Sequence, residues 1–169
     1  TESPNHFDYW RNNYSRKWAW LFSTNFQSYL NSINANHTLG ITELNFDACD
    51  FGIAPQNANH ANATWAADVL GRLAYNGIDY VTWYMGYGDA GQGYQAIANP
   101  NTSSTTSELI LRPSYYSLFM YGNYFGNQMV ESLSSDEPNV SIFAAKNTTD
   151  PSKLHLMIVN ISNTIAMPN

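Results

Sequence analysis

Glu43 is the residue best placed to do chemistry, because it is a carboxylate near the end of an otherwise apolar segment. Residues 38–46 read TLGITELNF, a short β-branched and apolar stretch that predicts a buried strand with a polar tip. In α/β barrels the catalytic groups are displayed at the carboxyl ends of the strands. A glutamate that pairs with an arginine or caps a loop is the structural alternative.

Trp83 holds the matching position in a second predicted strand, IDYVTWY, residues 78–84. If the two strands are neighbours, its indole and the Glu43 carboxylate share one edge of the sheet. Cleavage of a glycosidic bond uses that pairing, since a flat ring covers the sugar face while a carboxylate attacks or stabilises the oxocarbenium-like centre. Simple core packing of Trp83 is the other interpretation.

The loop after this strand carries further polar and aromatic groups. Tyr84 and Tyr87 are expected to contact a substrate beside Trp83, and Gln92 joins them as a possible hydrogen-bond donor. A carboxylate nucleophile has to stay ionised, which requires donors around it and not a dry pocket. The same aromatics, with Tyr94, could instead form the stacking platform of a non-catalytic carbohydrate-binding module.

The composition narrows the ligand class. The 169 residues carry a formal net charge of -6, which argues against nucleic acid and anionic membranes as partners. Aromatic residues make up 15% of the chain, many of them among Asn, Gly and Ser, a combination common in sugar-binding proteins. A neutral or modestly polar ligand is therefore expected.

The cysteine and histidine content indicates whether a metal site is expected, and the asparagine motifs indicate where the protein is located. Cys49 is the single cysteine, and the four histidines show no ligand spacing, so neither a metal nor another cofactor is predicted. Seven Asn-X-Ser/Thr acceptors favour a secreted, extracellular protein. The chain opens with Thr1 and has no signal segment or bilayer-spanning stretch, so we expect a fragment or a processed product.

A strand–helix–strand unit is predicted to carry Glu43 and Trp83. The helix between them should begin at a cap on Asn62 or Thr64, hold Asp68 in its first turn and end at 76–77, where Asn-Gly suits a left-handed cap. The tight link to the second strand predicts a parallel sheet. The residues expected to face inward are Trp65, Val69 and Leu73.

Helices are also predicted on either side of this unit. Apolar residues recur at spacings of three and four from Ser15 to Ile33, which indicates an amphipathic helix whose apolar face needs a partner. Pro113 suits the first turn of another helix, with Gly122 near its end. Its expected inner face is Tyr116, Phe119 and Met120.

Beyond Tyr124 the periodicity changes from helical to twofold. Segments 140–145 and 154–161 alternate as strands do, with a hairpin connection between them. We therefore predict a boundary that separates an α/β part, residues 1–124, from an antiparallel β module, residues 125–169.

Three segments make the sequence resemble a known family. GITELNFD, ADVLGRLAYNGIDYVTWY and the run MYGNYFGNQMVESLSSDEPNVSIFAAK…LHLMIVNIS are similar to the C-terminal third of glycoside hydrolase family 44, within the clan A retaining glycosidases. The resemblance covers most of the chain after about Ser15. It implies the C-terminal part of a (β/α)8 TIM barrel, strands seven and eight with flanking helices, followed by the start of an antiparallel β-sandwich.

The resemblance also implies an activity. Glu43 matches the family's nucleophile, Trp83 lies on the eighth strand, and the substrates are β-1,4-linked glucans such as cellulose derivatives and xyloglucan. Leu44 stands where an aromatic residue commonly follows the nucleophile, and the loop 47–59 differs in composition, which leaves the choice of polysaccharide open. The full-length enzyme is expected to be a monomer.

A retaining mechanism needs a second carboxyl group about 5 to 5.5 Å from the nucleophile. In clan A this is a Glu that follows an Asn on the fourth strand, and this sequence contains no Asn-Glu pair. Asp47, Asp50 and Asp89 are the nearby acids, and each is interpreted as lining a loop. The resemblance thus implies that the acid–base residue lies upstream of Thr1. Other clan A enzymes, namely β-xylosidases, arabinofuranosidases and β-glucuronidases, share the glutamate on strand seven and the aromatic residue on strand eight, and these activities stay open as alternatives.

Overall fold

The computed structural model describes residues 25–33, 37–45, 60–89, 95–100, 108–137 and 139–162. These ranges contain helices and both parallel and antiparallel sheets. The helices are α1 (Gln27–Ser32), α2 (His60–Tyr75) and α3 (Pro113–Tyr124). The strands are β1 (Gly40–Leu44), β2 (Tyr80–Trp83), β3 (Tyr87–Asp89), β4 (Ile97–Asn99), β5 (Ile110–Leu111), β6 (Gln128–Val130), β7 (Val140–Asn147) and β8 (Asp150–Asn160).

The predicted strand–helix–strand unit is present. β1 and β2 pair in parallel, with Gly40 opposite Tyr80 and Ile41 opposite Val81, and α2 connects them. The apolar face of α2 packs on the two strands, as the periodicity predicts. Their contact forms the strand–helix core, whose buried residues are Trp65, Ala66, Val69, Leu73 and Ile78.

The predicted start of α2 is wrong, whereas its predicted end is confirmed. The helix begins at His60, so the side chain of Thr64 donates to the His60 carbonyl from within the helix and Asn62 is fully buried there. Asp68 consequently lies in mid-helix. Local bonding and burial outweigh capping preference here, because Thr64 bonds within the helix and Asn62 is buried by packing. Gly77 takes the predicted left-handed conformation, with φ 78.

Three short strands lie between β2 and α3, where the sequence predicts a loop after β2 and no strand. β3 pairs in parallel with β4, and β4 pairs antiparallel with β5. Each contains two or three residues, too few to show an alternating pattern. The small sheet adjoins the end of β2, because the amides of Ala96 and Ile97 donate to the carbonyls of Met85 and Gly86.

α3 packs on α2 through small polar residues and not through the predicted aromatic face. Ser114 and Ser117 are buried, and the Ser117 hydroxyl donates to the Ala63 carbonyl at 2.7 Å. The Tyr121 hydroxyl donates to the Ala67 carbonyl, also at 2.7 Å. Serines let the two helix backbones approach closely. The predicted inner residues Tyr116, Phe119 and Met120 are exposed instead.

The third sheet is antiparallel, as predicted beyond Tyr124, in the order β6-β7-β8. The hairpin between β7 and β8 is tighter than predicted, because the strands extend to Asn147 and from Asp150. One face of the sheet packs on α2 and α3 to form the shared core, made of Ala67, Phe143, Val159 and Ile161 with Tyr121, Phe125, Met129 and Met157 around them. The boundary at Tyr124 stays a prediction, and residues on both sides of it contribute to this core.

The remaining predicted helix is described only in part. Of the segment from Ser15 to Ile33, the structure describes α1, and Trp18 and Phe22 lie outside the described residues. Phe26, Tyr29 and Ile33 are exposed. None of the helices in the described ranges is long and apolar enough to cross a bilayer.

Candidate functional site

The carboxyl ends of β1 and β2 lie side by side. Leu44 is opposite Trp83, and the amide of Tyr84 donates to the Leu44 carbonyl at 3.0 Å, so the pairing runs past the end of both strands. The Asn45 side-chain amide donates to the Tyr84 carbonyl and closes this edge. The edge therefore has a fixed geometry where the sequence places Glu43.

A bulge in β1 turns Glu43 away from α2. Ile41 and Leu44 both pack on the strand–helix core although three residues separate them, and the register shifts between them. In a regular strand, residues three apart point to opposite faces, so one extra residue is accommodated here. Thr42 and Glu43 are both exposed, and the Thr82 hydroxyl donates to the Thr42 carbonyl at the bulge. The Glu43 carboxylate is thus open to solvent and to a ligand.

Trp83 lies on the helix-facing side of the sheet. Its ring packs against Trp65 of α2, with centroids 6.2 Å apart and planes at 56°. Its indole nitrogen is buried and meets no acceptor among the residues that the structure describes. Alternation along β2 explains this, because Val81 and Trp83 both pack on the strand–helix core. The ring has the core-packing role that the sequence left open, and its predicted contact with a substrate stays a prediction that this packing does not favour.

Tyr84 and Tyr87 are presented to solvent beyond the end of β2. Their exposed fractions are 44% and 57%. The Tyr87 hydroxyl accepts a hydrogen bond from the Asn99 side chain at 3.2 Å. Tyr87 is the first residue of β3 and Asn99 is the last residue of β4, and these two strands pair in parallel. Two tyrosines of the predicted site are therefore available to a ligand, one of them oriented by a side-chain partner.

Several other predicted site residues cannot be placed. Asp47, Asp50, Gln92 and Tyr94 lie outside the described residues. Asp89 is described through its backbone alone, as the end of β3. Within the described ranges, no group of three His, Cys, Asp or Glu side chains is arranged to hold a metal ion.

Asn45, Thr82 and Asn99 are the residues of this edge that the sequence analysis misses. All three act through hydrogen bonds to neighbouring strands, to backbone carbonyls or to the Tyr87 hydroxyl. These contacts form between segments that are distant in sequence, so they cannot be predicted from the neighbouring residues. Asn45 did carry a signal, because it is a polar residue directly after a buried strand, the position that predicted a role for Glu43.

Comparison with known proteins bears on the fold. No protein-family model matches this chain, and no curated protein is similar to it at a significant level. Among solved structures the chain is similar to CelM2, a bifunctional glucanase-xylanase protein from a metagenome library, with a TM-score of 0.61 and 21% sequence identity. The chain has the fold of part of CelM2. The alignment covers 95% of this chain and 29% of CelM2, so the chain spans less than a third of that protein's length.

Proposed function

We propose that this chain supplies the nucleophile side of the active site of a retaining β-glycosidase. The observation that carries the proposal is the exposed Glu43 carboxylate at the joined carboxyl ends of two parallel strands. Structural likeness to a glucanase-xylanase supports it. The (β/α)8 barrel and the β-sandwich implied by the family 44 resemblance belong to this proposal, as do secretion and a monomeric full-length enzyme.

In the proposed mechanism a Glu43 carboxylate oxygen attacks the anomeric carbon of a bound sugar. The bond from that carbon to the leaving oxygen breaks, and a second carboxyl group protonates the departing oxygen. Water then cleaves the glycosyl ester with that second group acting as base. Asp79 does not fill this role, because it accepts the Leu39 amide at 2.7 Å at the opposite end of the strand pair. The acid–base residue is proposed to come from outside this chain.

The proposed substrate is a β-1,4-linked glucan of the cellulose or xyloglucan type. Tyr84 and Tyr87 are proposed to bind it, because exposed tyrosine rings can cover the C–H faces of successive sugars while their hydroxyls stay wet. The bond between Tyr87 and Asn99 supports this assignment, since a ring that is already oriented loses less freedom on binding.

An activated substrate tests the nucleophile without requiring the acid–base group. A dinitrophenyl β-cellobioside, fluorinated beside the anomeric carbon, carries a leaving group that departs without protonation and forms a long-lived glycosyl ester. We expect this chain to release one equivalent of dinitrophenolate and to gain one glycosyl unit on the peptide that contains Glu43, measured by mass spectrometry. Turnover of an unmodified soluble β-glucan by the chain alone should be negligible.

Two substitutions control this experiment. Glu43→Gln should abolish both the release and the label, whereas Glu131→Gln, at an exposed glutamate beyond β6, should change neither. A label on any residue other than Glu43, or the absence of a label on folded chain, would end the proposal. Robust turnover of unmodified glucan that depends on Glu43 would show that the chain contains its own acid–base residue.

A carbohydrate-binding module is the second candidate, favoured by the exposure of Tyr84 and Tyr87. It predicts that the chain retains cellobiose and is never labelled. In that case Glu43→Gln leaves sugar retention unchanged, and Tyr87→Ala reduces it.

A further inference from the structure

A pocket lies at the other end of the strand–helix unit from Glu43. Its volume is about 280 Å³, and it is formed by the last turn of α2, the segment after β6 and the start of β7. α2 ends where the chain turns to enter β2, so the pocket sits at the amino ends of the parallel strands. The residues that line it are Arg72, Tyr75, Asn76, Ser132, Leu133, Ser134, Glu137, Ser141, Ile142 and Phe143.

Arg72 and Glu137 are the charged residues that line this pocket in the described part of the chain. The Nε of Arg72 donates to both Asp68 carboxylate oxygens, and its Nη2 donates to Glu137 at 3.0 Å and to the Ser141 hydroxyl at 2.9 Å. Burial lowers the pKa of Arg72, but the charge and hydrogen bonds of Asp68 and Glu137 more than offset this, and the net change is upward. The guanidinium is therefore charged and held in one orientation.

Two N–H groups of Arg72 have no partner among the residues that the structure describes. A guanidinium has five N–H groups, and the two on Nη1 meet no acceptor among the described residues. The Asn76 side chain is oriented by its amide, which donates to the Arg72 carbonyl at 2.7 Å, and its oxygen makes no hydrogen bond within the described ranges. The pocket thus offers both a fixed donor and a fixed acceptor.

The charge balance selects against anions. One guanidinium faces two carboxylates, Asp68 at 3.0 Å and Glu137 at 3.0 Å, so the local charge is negative. A carboxylate or phosphate would meet repulsion from this pair. An uncharged ligand with hydroxyl groups can accept from Arg72 and donate to Asn76 without that penalty.

The remaining walls suit a ring with apolar faces. The Tyr75 ring is exposed at the mouth, and Leu133 presents 82% of its surface to solvent. A pyranose has C–H faces for such side chains and hydroxyls at its rim for the polar groups. A cavity of about 280 Å³ is at the small end for ligand sites, the size of one sugar ring.

We infer that this pocket binds one uncharged sugar ring, at a site separate from Glu43 and independent of catalysis there. A chain that acts at one end on a glucan would then hold a second sugar at the opposite end of the same unit. We expect a single-ring site with few contacts to bind with millimolar affinity.

Titration of the chain of residues 1–169 with glucose and with cellobiose tests the inference. Amide NMR signals should move at Asn76 and Leu133, and Tyr75→Ala should weaken that binding at least about tenfold through loss of the ring contact. Tyr124→Ala removes an exposed tyrosine of α3, 64% exposed against 48% for Tyr75, that does not line the pocket, and it should leave binding unchanged. Glucuronate, which differs from glucose by a carboxylate, should bind about fivefold more weakly because of the negative local charge.

Glu43→Gln separates this site from the proposed active site. It should abolish the glycosyl label while leaving the shifts at Asn76 and Leu133 intact, so either proposal can fail alone. Shifts confined to Tyr84 and Tyr87, equal binding by the wild-type chain and Tyr75→Ala, or no shift at about tens of millimolar sugar would each overturn the inference.

Discussion

Gly71 is predicted to resist a substitution that normally stabilises a helix. Replacing a glycine in a helix interior by alanine gains about 0.5 to 1 kcal/mol. At Gly71 of α2, however, an added Cβ would overlap the ring of Phe143, far inside van der Waals contact. Phe143 is 5% exposed and packed in the shared core, so moving its ring would disturb the residues around it. Overpacking of this kind costs about 1 to 3 kcal/mol, so Gly71→Ala should destabilise the chain by about 1 to 2 kcal/mol.

Gly122 provides the matched control. It lies in α3, is exposed, and an added Cβ there would meet no atom of the described residues within 4 Å. Gly122→Ala should therefore stabilise the chain by about 0.5 kcal/mol or slightly more. Urea unfolding followed by circular dichroism gives the free energy of unfolding of both variants. Relative to the wild-type chain, it should fall for Gly71→Ala and rise for Gly122→Ala.

A double-mutant cycle then identifies the cause. Phe143→Leu shortens the side chain that meets the new Cβ, so Gly71→Ala should be less harmful in that background, with a coupling of about 1 kcal/mol. If Gly71→Ala stabilises the chain as Gly122→Ala does, or destabilises the wild-type chain and the Phe143→Leu variant equally, then the close approach of α2 to β7 is not the reason.

Three further predictions concern a buried ion pair, a close backbone approach and a buried hydroxyl group. Asp68→Ala should lower the free energy of unfolding by about 3 kcal/mol, because it removes the buried carboxylate that pairs with Arg72, whereas Glu137→Gln, at a carboxylate that is 48% exposed, should change it by less than about 1 kcal/mol. Gly126→Ala should destabilise the chain more than Gly71→Ala does, since its Cβ would meet the backbone carbonyl of Lys146, which cannot rotate away; thermal melts of the two variants give the order. Burial, aided by the charge of Asp68, raises the pKa of Tyr121 far above its ordinary value of 10.0. The contribution of Tyr121 to the free energy of unfolding is therefore complete below pH 10.0. It is lost as the pH rises above 10.0, because the tyrosine then ionises in the unfolded chain but not in the folded one. As the pH rises through 10.0, the free energy of unfolding should fall less steeply for Tyr121→Phe than for the wild-type chain. Equal slopes for the two chains would contradict the burial of this hydroxyl.

Local sequence was sufficient where one face of an element does the packing. The period of three and four identified Trp65, Val69 and Leu73 as the buried face of α2, and the tight Asn-Gly end of that helix predicted a parallel partner for β1. The twofold alternation beyond Tyr124 likewise predicted β7 and β8. These features depend on which side chains avoid water, a property that neighbouring residues already show.

Hydrophobicity alone misjudged α3. Its largest apolar side chains suggested an inner face of Tyr116, Phe119 and Met120, but the helix is held by Ser117 and Tyr121, which donate to carbonyls of α2. A hydrogen bond to another helix depends on how closely the backbones approach. That distance is a property of the assembled fold, and no pattern in residues 113–124 reports it.

What the sequence by itself determined about the candidate site is the presence of a carboxylate at the end of a strand whose parallel partner ends in Trp83. Tertiary structure decided which way each side chain points. The bulge between Ile41 and Leu44 turns Glu43 outward, and regular alternation in β2 turns Trp83 onto Trp65. The physical reason is that one extra residue in a strand reverses every side chain after it, and such a residue is visible only against the strand it pairs with.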